Sequence, residues 1–490
     1  WYDIRDIEKG SDGEVYVFYS GAKMDESFSR MVKINKETMK SEAETELDPQ
    51  ITETINGYVC GDENYLFYCG DHNYLYGVNK DGSFEKILSW FEAGITSQRD
   101  YFCNGVLRGD EICYLYTDYA DEKTQYFVSF EKVSKSVMNS RKELTLTVAG
   151  MMQEEFERAA AKFTGENEEY RLKIDVIQYT DSLLDDFDAA ILSGNVGDII
   201  IPPENNFKYS SKGLYADYHQ IPEAEEYISG LDFFPNVLAA MEDNEGHLYD
   251  MWTSFGIDTL AAPDNIIGTE EYLTYEKIQE LVSEKGGRLV THFPNEMTDS
   301  SNFLRLMLKY NFDYFVDTKT GKCNFKSNAM RIALETAKQA PQAVPEDLGN
   351  EDFNDRFING KGVLCYGDIC DMDQLNHIRD GWFGGLFGVN FVGYPSADGR
   401  RLNVLDGRYT TVCISAASEY KAGAWEYVKT VIETESSYGF STIESVFDSY
   451  AEKKLAEYAA RDNDILMIST LGGKDVGIKA PTAEELAMLK

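Results

Sequence analysis

Between Lys142 and Ile201 the hydrophobic pattern changes period four times, and that alternation restricts the fold more than any other stretch of the chain. Leu144-Thr-Leu-Thr-Val-Ala149 is a short apolar run rich in β-branched residues, which suits a buried strand. Gly150 ends it, and in Met151–Phe163 the residues Met152, Phe156, Ala159, Ala160 and Phe163 fall on one helical face. Thr164-Gly-Glu-Asn reads as a turn, and Tyr170–Ile177 alternates as a strand does. Ser182–Leu192 reads as a second helix stopped at Gly194, and Gly197-Asp-Ile-Ile-Ile201 as a third strand. The series β-α-β-α-β predicts a parallel sheet with crossover helices.

Charge removes whole classes of partner. Lys and Arg number 46 against 85 Asp and Glu, a net charge of −39, so nucleic acid and anionic membrane surfaces are excluded as targets. No run of about eighteen apolar residues is long enough to span a bilayer. The chain opens at Trp1 rather than methionine, so a preceding segment is expected, a signal peptide among the forms it takes. The eight cysteines (60, 69, 103, 113, 323, 365, 370 and 413) form no CxxC and no zinc spacing with histidine. Cys60 with Cys69, and Cys103 with Cys113, are spaced to lie across hairpins, and free buried thiols fit equally well. The five histidines are scattered singly, and Walker, HExxH, GxSxG and EF-hand patterns are missing, so neither metal nor cofactor is expected.

Residues 1–135 have a different texture, crowded with Tyr, Phe, Gly and Asp, and they repeat. Asp12-Gly-Glu-Val-Tyr-Val-Phe-Tyr19, Asp62-Glu-Asn-Tyr-Leu-Phe-Tyr-Cys69 and Asp110-Glu-Ile-Cys-Tyr-Leu-Tyr-Thr117 recur at intervals of about fifty residues. Each is followed by a second strand: Arg30–Asn35, Tyr74–Asn79 and Tyr126–Phe130. The spacing resembles the blades of a β-propeller, too few here to close a usual ring, with an ordinary β-meander as the alternative. The polar stretch Val133–Arg141 reads as the linker, giving a β-repeat domain at 1–135, a junction at 136–141, and an α/β region at 142–490.

Within that region Pro222–Met241, Thr269–Lys285, Ser300–Tyr310 (capped by Asp299 or Ser300), Asn328–Gln339 and Ala422–Glu433 read as helices. Gly362–Tyr366 and Tyr409–Ile414 read as strands, and Thr482-Ala-Glu-Glu485 is a capping box opening a last helix.

Four of these pieces, in this order, resemble the sugar-binding family 1 solute-binding proteins of ABC importers. They are Phe156–Phe163 before the strand Leu172–Ile177; Gly197–Ile201 followed by Gly213-Leu-Tyr-Ala-Asp217; Phe357–Asp368; and Gly393–Gly399 leading through Asp406–Ile414 to Ala424–Lys429. Gly197 stands where proline is common in the family. The resemblance covers about 142–490. It implies a two-lobed periplasmic-binding-protein-like (type 2) α/β domain, with crossing segments near 247–262 and 393–405 and clamshell closure over a ligand. It further implies a monomeric, extracellular, lipid-anchored receptor that hands its ligand to a permease and is not an enzyme.

Ligands of open α/β sheets meet loops beyond the carboxyl ends of strands, here Gly150–Gln153, Pro202–Phe207, Tyr366–Met372 and Gly407–Thr411. Sugars present hydroxyls that suit carboxylates and amides, and C–H faces that stack on aromatic rings. Glu204, Asn205 and Asn206 offer the first chemistry after a strand, as do Tyr366 and Asp368 where the resemblance implies ligand contact. Tyr249 and Trp252 are the preferred stacking residues, with Trp382 next; Arg408 and Tyr409 precede a late strand, and Arg408 suits a carboxylate. A carbohydrate is the expected ligand. A glycoside hydrolase using paired carboxylates such as Glu204 and Asp368 is the rival enzyme reading. A surface adhesin or signalling receptor that binds protein through the β repeats is the third.

Overall fold

The computed structural model describes residues 2–23, 26–53, 55, 57–71, 74–90, 106–108, 111–117, 125–131, 140–203, 207–268, 270–284, 300–318, 320–339, 363–382, 388–407, 410–434, 436, 438–460, 467–469, 475–477 and 479–489. The chain forms two compact units, residues 1–216 with 412–435 and residues 217–411 with 436–490. It passes between them at 216/217, 411/412 and 435/436. The segments 247–262 and 393–405, expected as crossings, both lie inside the second unit.

The first unit begins with three antiparallel meanders. Strands β1 (Tyr2–Lys9), β2 (Val15–Lys23), β3 (Glu26–Asn35) and β4 (Lys40–Leu47) form one sheet in chain order. Strands β5 (Tyr58–Cys60), β6 (Phe67–Gly70), β7 (Tyr74–Val78) and β8 (Phe84–Ser89) form the second. Strands β9 (Val106–Arg108), β10 (Glu111–Thr117) and β11 (Gln125–Glu131) form the third. The sequence repeats occupy the second and third strand of each sheet. Their recurring acid has a local job. The Asp12 carboxylate accepts from the Glu14 amide at 3.0 Å and the Tyr16 hydroxyl at 2.8 Å, tying a turn to the strand it launches. In the second repeat Asp62 accepts from the Asn64 amide at 2.7 Å and the Tyr65 amide at 3.3 Å, and Asp71, outside the motif, likewise ties the Tyr74 amide and the Tyr76 hydroxyl. Phe18, Met31 and Leu47 of the first sheet share a core with Tyr58, Phe67, Cys69 and Val78 of the second, and the Phe18 and Tyr58 rings stack at 3.6 Å. Cys60 is exposed, Cys69 is buried, and both are free thiols. In the register, Cys60 faces Phe67 and Cys69 faces Tyr58, so no bridge joins that pair. Cys103 lies outside the described residues, and so does the Cys113 side chain.

The α/β part of this unit follows the sequence pattern. Strands β12 (Lys142–Ala149), β13 (Tyr170–Ile177) and β14 (Ile199–Ile201) are parallel, in spatial order β13-β12-β14. Helices Glu154–Glu166 and Leu183–Ser193 supply the crossovers. The second ends at Gly194, whose φ of 73° is the left-handed conformation that closes a helix cheaply only in glycine. The first continues through Thr164-Gly-Glu, where a turn was expected, and its apolar stripe of Phe156, Ala159, Ala160 and Phe163 is buried. Strand β22 (Thr411–Ile414) adds antiparallel to β14, and helix Lys421–Ile432 lays Tyr427 edge-on against Phe163 at 5.9 Å. Gly197 is fixed by crowding. A Cβ there would sit 2.2 Å from the Thr145 carbonyl oxygen, and its N–H donates to Thr147 Oγ1 at 2.8 Å. Alanine would clash there and proline would lose the hydrogen bond.

The second unit is built around one strand. After a short strand β15 (Met251–Trp252), β16 (Ser254–Pro263) is buried along all ten residues. A small hairpin, β17 (Val316–Asp317) with β18 (Lys322–Cys323), follows. Strand β16 pairs antiparallel with β19 (Cys365–Ile369), β20 (Val389–Phe391), β21 (Val404–Asp406) and β23 (Phe440–Ser441). Helices Tyr275–Glu284, Ser300–Lys309 and Asn328–Gln339 cover it, burying Tyr275, Ile278, Phe303, Met307, Ile332 and Ala333 against Leu260 and Ala262. The helix expected over Pro222–Met241 is two helices, Pro222–Ile228 and Pro235–Met241. Ser229-Gly230 ends the first, and Pro235 opens the second because a proline fits only a first turn. The capping box is made: Thr482 N donates to Glu485 Oε2 at 2.7 Å and Glu485 N to Thr482 Oγ1 at 3.2 Å. Asp299, an expected cap, falls outside the described residues.

Candidate functional site

Alternation along β16 and β19 puts Asp258, Leu260, Tyr366 and Asp368 on one face. At Leu260 that face lies under the helices. One step along it reaches Asp258, whose register partner is Asp368. Two carboxylates directly opposite repel, so each needs compensation. The Tyr366 hydroxyl donates to Asp258 Oδ1 at 2.7 Å, and the Tyr438 hydroxyl to Asp368 Oδ2 at 3.3 Å. Asp258 is only 5% exposed. Burial first, then the charge and hydrogen bond of Asp258, hold the Tyr366 phenol far above its ordinary range; burial and Asp368 do the same for Tyr438. Both therefore stay protonated as donors. Burial, with Asp371 and Asp368 adding charge, pushes the neighbouring Cys370 thiol up to about 12, so it is inert at neutral pH. Tyr310 lies 4.3 Å from Tyr394, ring centre to ring centre, and both carry their hydroxyls beside Tyr366. The result is a carboxylate pair framed by tyrosine hydroxyls and rings.

The first unit has its own candidate surface at the carboxyl ends of the parallel strands. Met151 follows β12 and is 75% exposed; Tyr179 follows β13 and is 76% exposed. Gly150 between them lies close to Leu183 and Tyr179, so the backbone passes tightly beneath an open aromatic ring. An exposed tyrosine beside a strand end suits the apolar face of a sugar ring.

Of the expected site residues, Tyr366 and Asp368 are brought together on β19. Tyr249 is half-buried, its ring 5.6 Å from His247, which pairs through Nδ1 with Asp217 Oδ2 at 2.8 Å. Trp252 is 4% exposed, and one face of its indole is covered by Gly407, where a Cβ would fall 2.2 Å from the ring. Its Nε1 is buried with no partner among the described residues. That placement packs the ring and leaves the covered face closed to a sugar. Trp382 ends the single-turn π-helix His377–Trp382, and its side chain is outside the described set. Glu204, Asn205, Asn206, Arg408 and Tyr409 also lie outside the described residues.

Asp258, Tyr438 and Tyr179 were missed from sequence. Asp258 carried a signal, being a lone acid inside the apolar run Ser254–Pro263. Tyr438 carried none, because its role depends on a strand pairing across the unit. Among the described residues no group of three or more histidine, cysteine, aspartate or glutamate side chains is arranged to hold a metal, and no helix is long and apolar enough to cross a membrane.

No family model matches the chain, and no curated protein does. Solved structures do. An ABC substrate-binding protein from Listeria monocytogenes in complex with cycloalternan is similar at 15% identity, over 64% of this chain and 83% of that one, with a TM-score of 0.41. The GacH receptor of Streptomyces glaucescens, solved unliganded and with acarbose, is similar at 15% identity over 64% and 84%, TM-score 0.40. Maltose-bound MalE3 of T. maritima is similar at 16% identity over 65% and 85%, TM-score 0.39. Likeness at this level leaves function to the side chains of the chain itself.

Proposed function

We propose that the protein is a solute-binding receptor that captures a carbohydrate for an ABC importer, closing on its ligand by a hinge movement and releasing it unchanged. The observation that carries this reading is the Asp258–Asp368 pair with Tyr366 and Tyr438. Carboxylates that accept from vicinal hydroxyls, beside rings that take C–H faces, are the chemistry a sugar needs and a hydrocarbon or phosphate does not. Tyr179 and Met151 supply a second, apolar contact surface. Closure follows when the ligand binds the closed state more tightly than the open one. A monomer held at the cell surface by lipid and served by a permease completes the reading. The three meanders, spaced like blades, would be an open propeller-like addition to it.

The glycosidase reading needs one of the two carboxyls to donate a proton, and turnover of the saccharide distinguishes it from the receptor reading.

A thermal-shift screen of the full chain against mono- and oligosaccharides, amino acids and organic acids tests the proposal. A saccharide at a hundred times its Kd should add roughly 2.7 kcal/mol. Recovery of the saccharide intact supports a receptor; a cleaved product makes the protein a hydrolase. Asp368→Asn should abolish the shift.

A further inference from the structure

A second site lies in the β sheets, apart from the carboxylate pair. A half-open cleft of about 200 Å³ is lined by Arg5, Asp6, Phe18, Tyr19, Ser29, Arg30, Leu47, Thr52, Ile55, Gly57 and Tyr58. At a share of about 30 Å³ per water, that is room for roughly seven waters, the scale of a monosaccharide. Two guanidiniums meet there in a chain whose net charge is −39. Arg5 donates through Nε to Ser20 Oγ at 2.8 Å and lies 3.7 Å from Asp3. Its two terminal nitrogens have no partner among the described residues. Arg30 is held by Glu44 at 2.5 Å, and Glu44 also takes the Tyr19 hydroxyl, so the guanidinium is fixed before any ligand arrives. Asp6 is already committed, accepting from the Ile7 and Tyr58 amides at 2.8 Å each. Thr52 and Ser29 bond to each other at 2.5 Å.

Tyr58 supplies an independent observation. The residue is 6% exposed and lines the cleft, its amide held by the Asp6 carboxylate at 2.8 Å. It senses both Arg5 and Asp6, which line the cleft.

We propose that this cleft binds a small organic carboxylate of about monosaccharide size. The carboxylate engages the free fork of Arg5 and the field of Arg30, and the Tyr58 hydroxyl donates to the same molecule. Arginine is suited to this because its planar fork matches both carboxylate oxygens. Leu47, Ile55 and the Phe18–Tyr58 stack take the apolar remainder. This site stands independently of the receptor reading.

Calorimetric titration of the full chain at low salt with glucuronate, malate and neutral glucose tests it. One saturable carboxylate site is expected, at least tenfold weaker in Arg5→Met, several-fold weaker in Tyr58→Phe, intermediate in Arg5→Lys, weakened by salt, and unchanged in Asp368→Asn. Absence of carboxylate binding to the parent chain overturns the proposal. So does binding kept in Arg5→Met, or binding lost in Asp368→Asn, which would put the ligand at the carboxylate pair. Should Arg5→Met fail to fold, Tyr58→Phe decides, since it removes one hydroxyl; undiminished affinity there rejects the site.

Discussion

The two central sheets are built by opposite strategies. In the first unit, β12, β13 and β14 come from sixty consecutive residues, each joined to the next by its own crossover helix. In the second, β16 takes partners from 365–369, 389–391, 404–406 and 440–441. The local design presents its strand ends in a row and exposes Met151 and Tyr179 there. The non-local design brings together residues that no local motif would, and its product is the Asp258–Asp368 pair with its tyrosines. On the proposed reading, aromatic contact would come from the local sheet and polar recognition from the assembled one.

Breaking the assembled unit should show the largest effect. Arg379 bonds Glu485 at 2.7 Å, Asp380 at 2.6 Å and the Lys479 carbonyl at 2.6 Å, pinning helix Ala483–Leu489. Arg379→Met strands two shielded carboxylates and should cost about 3–5 kcal/mol in denaturant titration. Hydrogen exchange in β12 and β13 should change least, because those strands lie in the other unit. The reciprocal lesion is Gly197→Ala, whose methyl meets the Thr145 carbonyl. A loss of about 1–3 kcal/mol is expected, with faster exchange confined to β12 and β14.

The two surfaces can be separated by affinity. Tyr366→Phe removes one donor and should weaken saccharide binding by about tenfold or less; it should also lower stability, because Asp258 is buried. Tyr179→Ala should weaken binding by a similar factor with the melting temperature unmoved, since an exposed ring contributes little to folding. Equal stability losses in both would erase the distinction between the surfaces.

The smallest effect is a pH dependence confined to the second unit. Burial alone would lower the His219 pKa, but Glu225 at 2.5 Å and Glu242 at 3.4 Å outweigh it and the net shift is upward. Asp217 raises that of His247, with Asp243 and Glu245 adding charge. A histidine whose folded pKa is raised stabilises fully below its unfolded value of about 6.5, and that contribution is lost as pH rises through the folded pKa. His219→Gln with His247→Gln should lower the melting temperature most near about pH 6 and least above neutrality.

The same contrast decides what the sequence made legible. Each element of the β-α-β-α-β series is found within about three residues, because amphipathic period and Gly194 are local signals. Helices Ser300–Lys309 and Asn328–Gln339 are equally local, as is the Thr482–Glu485 cap. The resemblance implies a crossing segment over β16, and burial on both faces leaves no alternation to mark it as a strand. Helix Glu444–Ala460 escaped for a related reason: only Phe447 and Ala451 are buried along seventeen residues, so no apolar stripe marks it. Asp368 was named from a resemblance that carried position. Its partner Asp258, and Tyr438 beside it, are defined by pairings that a linear pattern does not encode.

The reach of β16 also sets a schedule for making the protein. Its last partner, β23, is translated after every other strand of that sheet, and the first unit likewise waits for β22 and helix Lys421–Ile432. At 5–20 residues per second, roughly ten to forty seconds pass between synthesis of β16 and of β23. Through that interval the buried strand β16 lacks a partner that it has in the finished sheet, and a stop codon before residue 440 should yield aggregate rather than a smaller folded protein.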